Sequence, residues 1–189
     1  MFRTVLATAF AVLAMPALAV ELGDDGLHKT DWMRDTFKDL AEDYAEAQAL
    51  GLDLMVLIEQ RGCIYCTRMH EEVFPVPEID ALIRESFFVV QINMFGSVEV
   101  TDFDGESLSE RDMVAKWGVL FTPTILFFDT ETPIPEGATA ARAAVATMPG
   151  AFEQLTTRHL LEWVRDSGFE GEEVFQKYHA RRLEEEGLL

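Results

Sequence analysis

Basic residues are scarce in this sequence: 15 lysines and arginines stand against 34 aspartates and glutamates, for a formal net charge of −19 and a pI near 4.4. That balance argues against nucleic acid or an anionic membrane surface as a partner, because both are bound through positive charge. It favours solubility and leaves room for a basic client. Long apolar runs are lacking too. The stretch Val5 to Met15 falls short of the about 20 residues a membrane-spanning helix needs, and no other segment is long and apolar enough. Internal repeats and low-complexity tracts are absent. Cysteine is limited to two residues, Cys63 and Cys66. A structural bridge across their two-residue gap would close a very small loop and add little loop entropy, so a purely structural role is poorly motivated. What is abundant is apolar bulk: 49% hydrophobic residues with 14 phenylalanines in 189 positions. That suffices for one packed domain and is too short for two.

The N-terminus has the layout of a secretory signal. Arg3 supplies a positive start, Val5 to Met15 an apolar centre, and Pro16-Ala17-Leu18-Ala19 an A-x-A cleavage pattern. Cleavage after Ala19 is expected, leaving a single domain over 20–189 in a bacterial periplasm. An uncleaved anchor is the competing reading, disfavoured by the short apolar stretch and the small residues that end it. No cysteine follows that stretch to carry a lipid.

Cys63-Ile64-Tyr65-Cys66 sits where a buried-type strand, Leu52 to Ile58, gives way to a helical pattern, Cys63 to Phe74. The first thiol is thereby placed at a helix N-terminus, where unpaired N–H groups and the helix dipole favour a thiolate. A thiolate attacks disulfides, and a second cysteine two residues on can resolve the mixed disulfide. Before the motif, the pattern predicts a helix from an Asp31 cap through Leu50, with Trp32 and Phe37 on its apolar face, stopped by Gly51. After it come a short helix (78–85), a strand (87–94), a hairpin over 98–108 turning at Asp104-Gly105, a helix capped by Ser109, the strand Thr124 to Phe128, a loop leading to an edge strand around 142–147, and helices over about 152–167 and 172–186. Strands alternating with helices imply an α/β domain with a mixed sheet.

Two segments together carry a family resemblance. Gly62-Cys63-Ile64-Tyr65-Cys66 follows a buried strand, and Lys116-Trp117-Gly118-Val119-Leu120-Phe121-Thr122-Pro123-Thr124-Ile125-Leu126-Phe127-Phe128 resembles the K-Y-G-V-x-x-x-P-T-L-x-F block of the thioredoxin superfamily. The run Glu59-Gln60-Arg61-Gly62-Cys63, with Met69-His70-Glu71 beyond Cys66, is most similar to exported thioredoxins of bacterial sulfur-oxidation clusters (SoxW-like). The resemblance covers about residues 31–168, with 169–189 a C-terminal helical extension. It implies a thioredoxin fold: a central mixed β-sheet flanked by helices, here with an added N-terminal helix, an inserted hairpin and a C-terminal helix. It implies Cys63 as the exposed nucleophile, Cys66 as the resolving thiol, Pro123 in cis, and Thr122, Pro123, Ile64 and Tyr65 at the client. No cofactor or metal is implied.

The sequence departs from cytosolic thioredoxins in one place. Their buried aspartate, six residues before the first cysteine, is Leu57 here. Glu59, two residues on and on the same strand face, is the candidate for proton transfer with Cys66. His70 is read as a solvent-facing or capping residue, with thiol modulation, or metal binding beside Cys63 and Cys66, as alternatives. Arg61 is read as an exposed loop residue. The function expected is a monomeric, exported thiol–disulfide oxidoreductase that reduces periplasmic client proteins, draws electrons from a membrane thiol transporter, and serves a client in sulfur oxidation. A disulfide oxidase or isomerase is the alternative, and a copper-binding thioredoxin-like protein the third.

Overall fold

The computed structural model describes residues 21–189; the expected signal, residues 1–19, lies outside the described residues. The chain opens with a small hairpin, β1 (Glu21–Leu22) and β2 (His28–Lys29), then a short strand β3 (Met33–Arg34) and helix α1 (Leu40–Leu50). Strand β4 (Asp53–Glu59) leads into α2 (Ile64–Arg68), which widens without a break into a π-helical turn, Met69–Val73. Helix α3 (Pro77–Ser86) and strand β5 (Phe87–Asn93) follow, then the hairpin β6 (Glu99–Thr101) and β7 (Ser107–Ser109), and α4 (Glu110–Lys116). Strand β8 (Thr124–Phe128), α5 (Ala140–Ala143), β9 (Ala146–Pro149), α6 (Gln154–Arg165), a 3-10 turn (Gly168–Glu170) and α7 (Phe175–Glu185) complete it.

Five strands form the central sheet in the order β3-β5-β4-β8-β9. Strand β4 runs parallel to β5 and antiparallel to β8, so the sheet is mixed. The near-continuous apolar run of β4 is explained by its position: alternate side chains enter two different cores. Met55 and Leu57 pack with Phe87, Ile125, Phe127, α3, α6 and the π-helical turn. Leu54, Val56 and Ile58 pack on the other face with Phe88, Leu126 and Phe128 under α1 and α4. Helices cover both faces of the sheet, as expected of the fold class. Among the described residues no helix is long and apolar enough to cross a membrane.

Two expectations are corrected. The first helix does not start at Asp31. It starts at Leu40, where the Asp39 side chain accepts the N–H groups of Ala41 and Glu42. Residues 31–38 are tied elsewhere, with Met33 and Arg34 pairing with Val89 and Val90 at the sheet edge. Trp32 turns into the core, while Phe37 points to solvent at 93% exposure. A helical period over Trp32 and Phe37 was therefore coincidental; sheet pairing won. The late edge strand lies at Ala146–Pro149, not 142–147, because Ala140–Ala143 folds into a helical turn whose Ala140 N–H donates to Asp102 (2.7 Å). Gly51 ends α1 in the left-handed region (φ 69°), and Ser109 caps α4 by accepting the N–H of Asp112.

Candidate active site at the cysteine pair

Strand β4 delivers the chain to Glu59, and a turn through Gln60-Arg61-Gly62 reverses it into α2. Gly62 adopts φ 72°, which a side chain would resist, and the Cys63 N–H donates to Gln60 O (3.3 Å). Arg61 in this turn is exposed and lies against Gly26 of the first hairpin. Cys63 is the N-cap of α2, with extended backbone (φ −75°, ψ 107°). Its Sγ accepts the N–H of Cys66 at 3.0 Å. The two cysteines are disulfide-bonded, with Cα atoms 5.2 Å apart. Cys63 keeps only 5% of its surface and Cys66 none, so the exposed thiol expected of Cys63 is exposed only relative to its partner.

The loop before β8 supplies the opposite wall. Thr122 Oγ1 donates to Cys63 Sγ at 3.2 Å, and Thr122 O lies 3.5 Å from the same sulfur. The Thr122–Pro123 peptide bond is cis. Ile64, Tyr65, Leu120 and Phe121 stay largely exposed around the pair. Two donors thus converge on one sulfur beside an apolar rim. Both would hold a Cys63 thiolate more strongly than the thiol, which is the arrangement a disulfide-attacking nucleophile needs.

Glu59 is fully buried at the end of β4. Its carboxylate accepts Gln91 Nε2 at 2.7 Å and faces His70 Nε2 at 3.0 and 3.2 Å. Among the described residues it has no hydrogen bond to either cysteine. His70 is therefore not solvent-facing: it is buried in the π-helical turn because it answers a carboxylate that β4 carries into the core. Neither cysteine shares a ligand cluster with it; the residues grouped around it are His28 and Glu59. His28 had no sequence signal. It lies on a two-residue strand, yet its ring stacks on that of His70 (centroids 4.6 Å apart). Burial, then the neighbouring His70, hold the His28 imidazole below its ordinary pKa.

A model of the thioredoxin-like domain family matches residues 40–148. No curated protein matches the sequence. Among solved structures, a thioredoxin-fold protein from Helicobacter pylori superposes with a TM-score of 0.54 at 16% identity, over 74% of this chain and 91% of that one. A thioredoxin from Thermus thermophilus superposes with a TM-score of 0.51 at 22% identity, over 69% and 86%. At such identities the likeness speaks for the fold alone.

Proposed function

The chain belongs to the thioredoxin-like domain family, and from that membership we propose that it is a thiol–disulfide oxidoreductase, working as an exported reductase of client-protein disulfides. The observation that carries the reading is the double hydrogen bond to Cys63 Sγ, from the Cys66 N–H and the Thr122 hydroxyl. In the reduced protein the Cys63 thiolate attacks one sulfur of a client disulfide, forming a mixed disulfide and releasing the first client thiolate. Cys66, deprotonated, then attacks Cys63 Sγ. The Cys63–Cys66 disulfide forms, the second client thiolate leaves, and two electrons have passed to the client.

Thr122 and Pro123, with Ile64 and Tyr65, form the client edge in this reading, widened by the exposed Leu120 and Phe121. Glu59 is the proposed proton acceptor for Cys66. A Glu59→Gln variant whose exchange rate keeps the parent's profile between about pH 6 and 9 would remove that role. The working cycle needs electrons from outside the protein, and a membrane thiol transporter is the proposed source. The reading extends to the periplasm, from the signal-like N-terminus, to a sulfur-oxidation client, from the sequence resemblance, and to a monomeric state.

The test is the reduction potential of the Cys63–Cys66 pair in glutathione or dithiothreitol buffers. A value near about −270 mV supports a reductase. A value between about −180 and −120 mV reverses the direction and makes the protein an oxidase or isomerase.

A further inference from the structure

Three potential metal ligands meet behind the cysteine helix, each carried by a different element: His28 by β2, Glu59 by the end of β4, His70 by the π-helical turn. One ligand atom of each lies within 4.8 Å of the other two, and all three residues are buried. We propose that these residues form a structural site for a divalent ion of the zinc class, one that staples the N-terminal hairpin to the cysteine helix and does not use the cysteines. The proposal is independent of the cysteine exchange itself, but an ion held by both Glu59 oxygens takes that carboxylate out of proton transfer with Cys66.

The spacing suits an ion. Two donors bound about 2.0–2.2 Å from one tetrahedral zinc stand about 3.3 Å apart. His70 Nε2 already stands 3.0 and 3.2 Å from the two Glu59 oxygens. Both oxygens face the same nitrogen, so a bidentate carboxylate would complete four donors with the two imidazoles.

The protonation pattern suits it as well. Thr67 Oγ1 gives its one proton to Cys63 O (3.2 Å), so at its 3.2 Å contact with His28 Nε2 the imidazole is the donor. His28 then keeps a lone pair on Nδ1, with its other nitrogen anchored, the outer contact that metal-binding histidines commonly have. His70 Nδ1 has no hydrogen-bond partner among the described residues. In the ion-free form the Glu59 oxygens hold the His70 proton on Nε2; an ion takes the place of that proton.

The surroundings support a structural role over a catalytic one. Gln91 Nε2 holds Glu59 Oε2 at 2.7 Å and His28 O at 2.8 Å, fixing two of the three elements from outside the site. Trp32 stacks over His70, and Phe74 meets it edge-on, so the site is walled by aromatics. A π-helical turn is a frequent device for aiming a side chain at a functional position. One adjustment is required. The two imidazole planes are 14° from parallel, and an ion must lie close to both planes. His28, on a two-residue strand and held at its ring by Thr67 and the stack on His70, is the ring that turns, giving up part of that stack.

The experiment is calorimetric titration of the oxidised full-length chain with Zn2+, paired with visible absorption after Co2+ substitution. One ion per chain is expected, with d–d bands of a four-coordinate nitrogen/oxygen site and no thiolate charge-transfer band. Binding should survive Cys63→Ser/Cys66→Ser. It should weaken at least about 100-fold in His28→Gln and in Glu59→Gln, and about 10–100-fold in Gln91→Leu, which leaves the ligands in place. His28 is buried on a two-residue strand, and circular dichroism verifies the fold of His28→Gln. Absence of saturable binding would show a hydrogen-bonded core network only. Loss in the double serine variant would show a thiolate site, and unchanged binding in His28→Gln would show surface carboxylates. Any of these overturns the proposal.

Discussion

The molecule holds two histidine pairs, each with a glutamate, and they differ in what surrounds the carboxylate. Behind the cysteines, His28 and His70 stack at 4.6 Å, and Glu59 is held by His70 and the neutral amide of Gln91. Between α6 and α7, His159 and His179 meet Nδ1 to Nδ1 at 2.8 Å, and Glu186 is gripped by Arg158 and Arg182. Burial opposes ionisation of Glu186, but hydrogen bonds from Arg182, Arg158 and His159 outweigh it and bring its carboxyl down to about 2. The same three residue types therefore make different devices. Where guanidinium groups claim the carboxylate, the imidazoles are left to share one proton, and the set latches a helix. Where no lysine or arginine among the described residues touches it, the carboxylate is open to an imidazole proton or a metal.

The largest effect that could break this contrast is removal of each carboxylate. Glu59→Ala takes one of two hydrogen bonds from the buried Gln91 amide and strands the His70 imidazole, and a loss of about 3–5 kcal/mol is expected. Glu186→Ala removes a partly exposed partner from a network that keeps its other members, and should cost no more than about 1 kcal/mol. Urea unfolding of both variants decides. Equal losses would mean that neither burial nor the chemistry of the neighbours separates the two sites.

The contrast also marks how far the sequence could be read. The cysteine pair, its helix N-terminus, Thr122 and Pro123 were legible because each depends on short spacing: two residues between thiols, one between Thr and strand. Strands β4, β5 and β8 were legible because burial on both faces leaves unbroken apolar runs. Glu59 was placed on the correct strand face by parity alone, since it follows Leu57 by two. His28 was not legible. It reaches its site through a two-residue strand too short for any period, across a separation of 42 positions from His70. The start of α1 was misread because Trp32 fits a helical stripe and a sheet-edge anchor equally well, and only the pairing of Met33 and Arg34 with β5 separates them.

A smaller effect concerns acid. Burial first, then His159, hold the His179 imidazole below its ordinary pKa. The unfolded chain therefore binds that proton at a higher pH than the folded one. The latch is at full strength above about pH 6.5 and weakens as pH falls from there through the lowered folded pKa, by less than about 1 kcal/mol given its solvent-facing side. Faster amide hydrogen exchange in α7 at pH 5.5 than at 7.5, with the central sheet unchanged, is the expected result. His179→Phe should remove the pH step while keeping contact with Phe175, whose ring packs in turn on Trp163. A pH step that persists in His179→Phe would locate the titration elsewhere.

The smallest effect is also the most pointed. Arg158→Ala removes one of the two guanidinium groups on Glu186, but Arg182 still holds the Glu186 carboxylate at 2.9 Å and Glu162 at 2.8 Å. A loss below about 1 kcal/mol, shrinking further in high salt, is expected at neutral pH. Zinc binding at the α6–α7 pair should not appear, because one guanidinium suffices to occupy the carboxylate and repel a cation. Arg158→Ala/Arg182→Ala leaves two imidazoles and a carboxylate without cations, the composition found behind the cysteines. If that double variant gains a second, weaker zinc equivalent in calorimetry, cationic neighbours are what separate the two sites. If it gains none, the separating property is burial: Glu59 is fully enclosed, whereas the Glu186 side chain remains 24% exposed and can meet its needs with water.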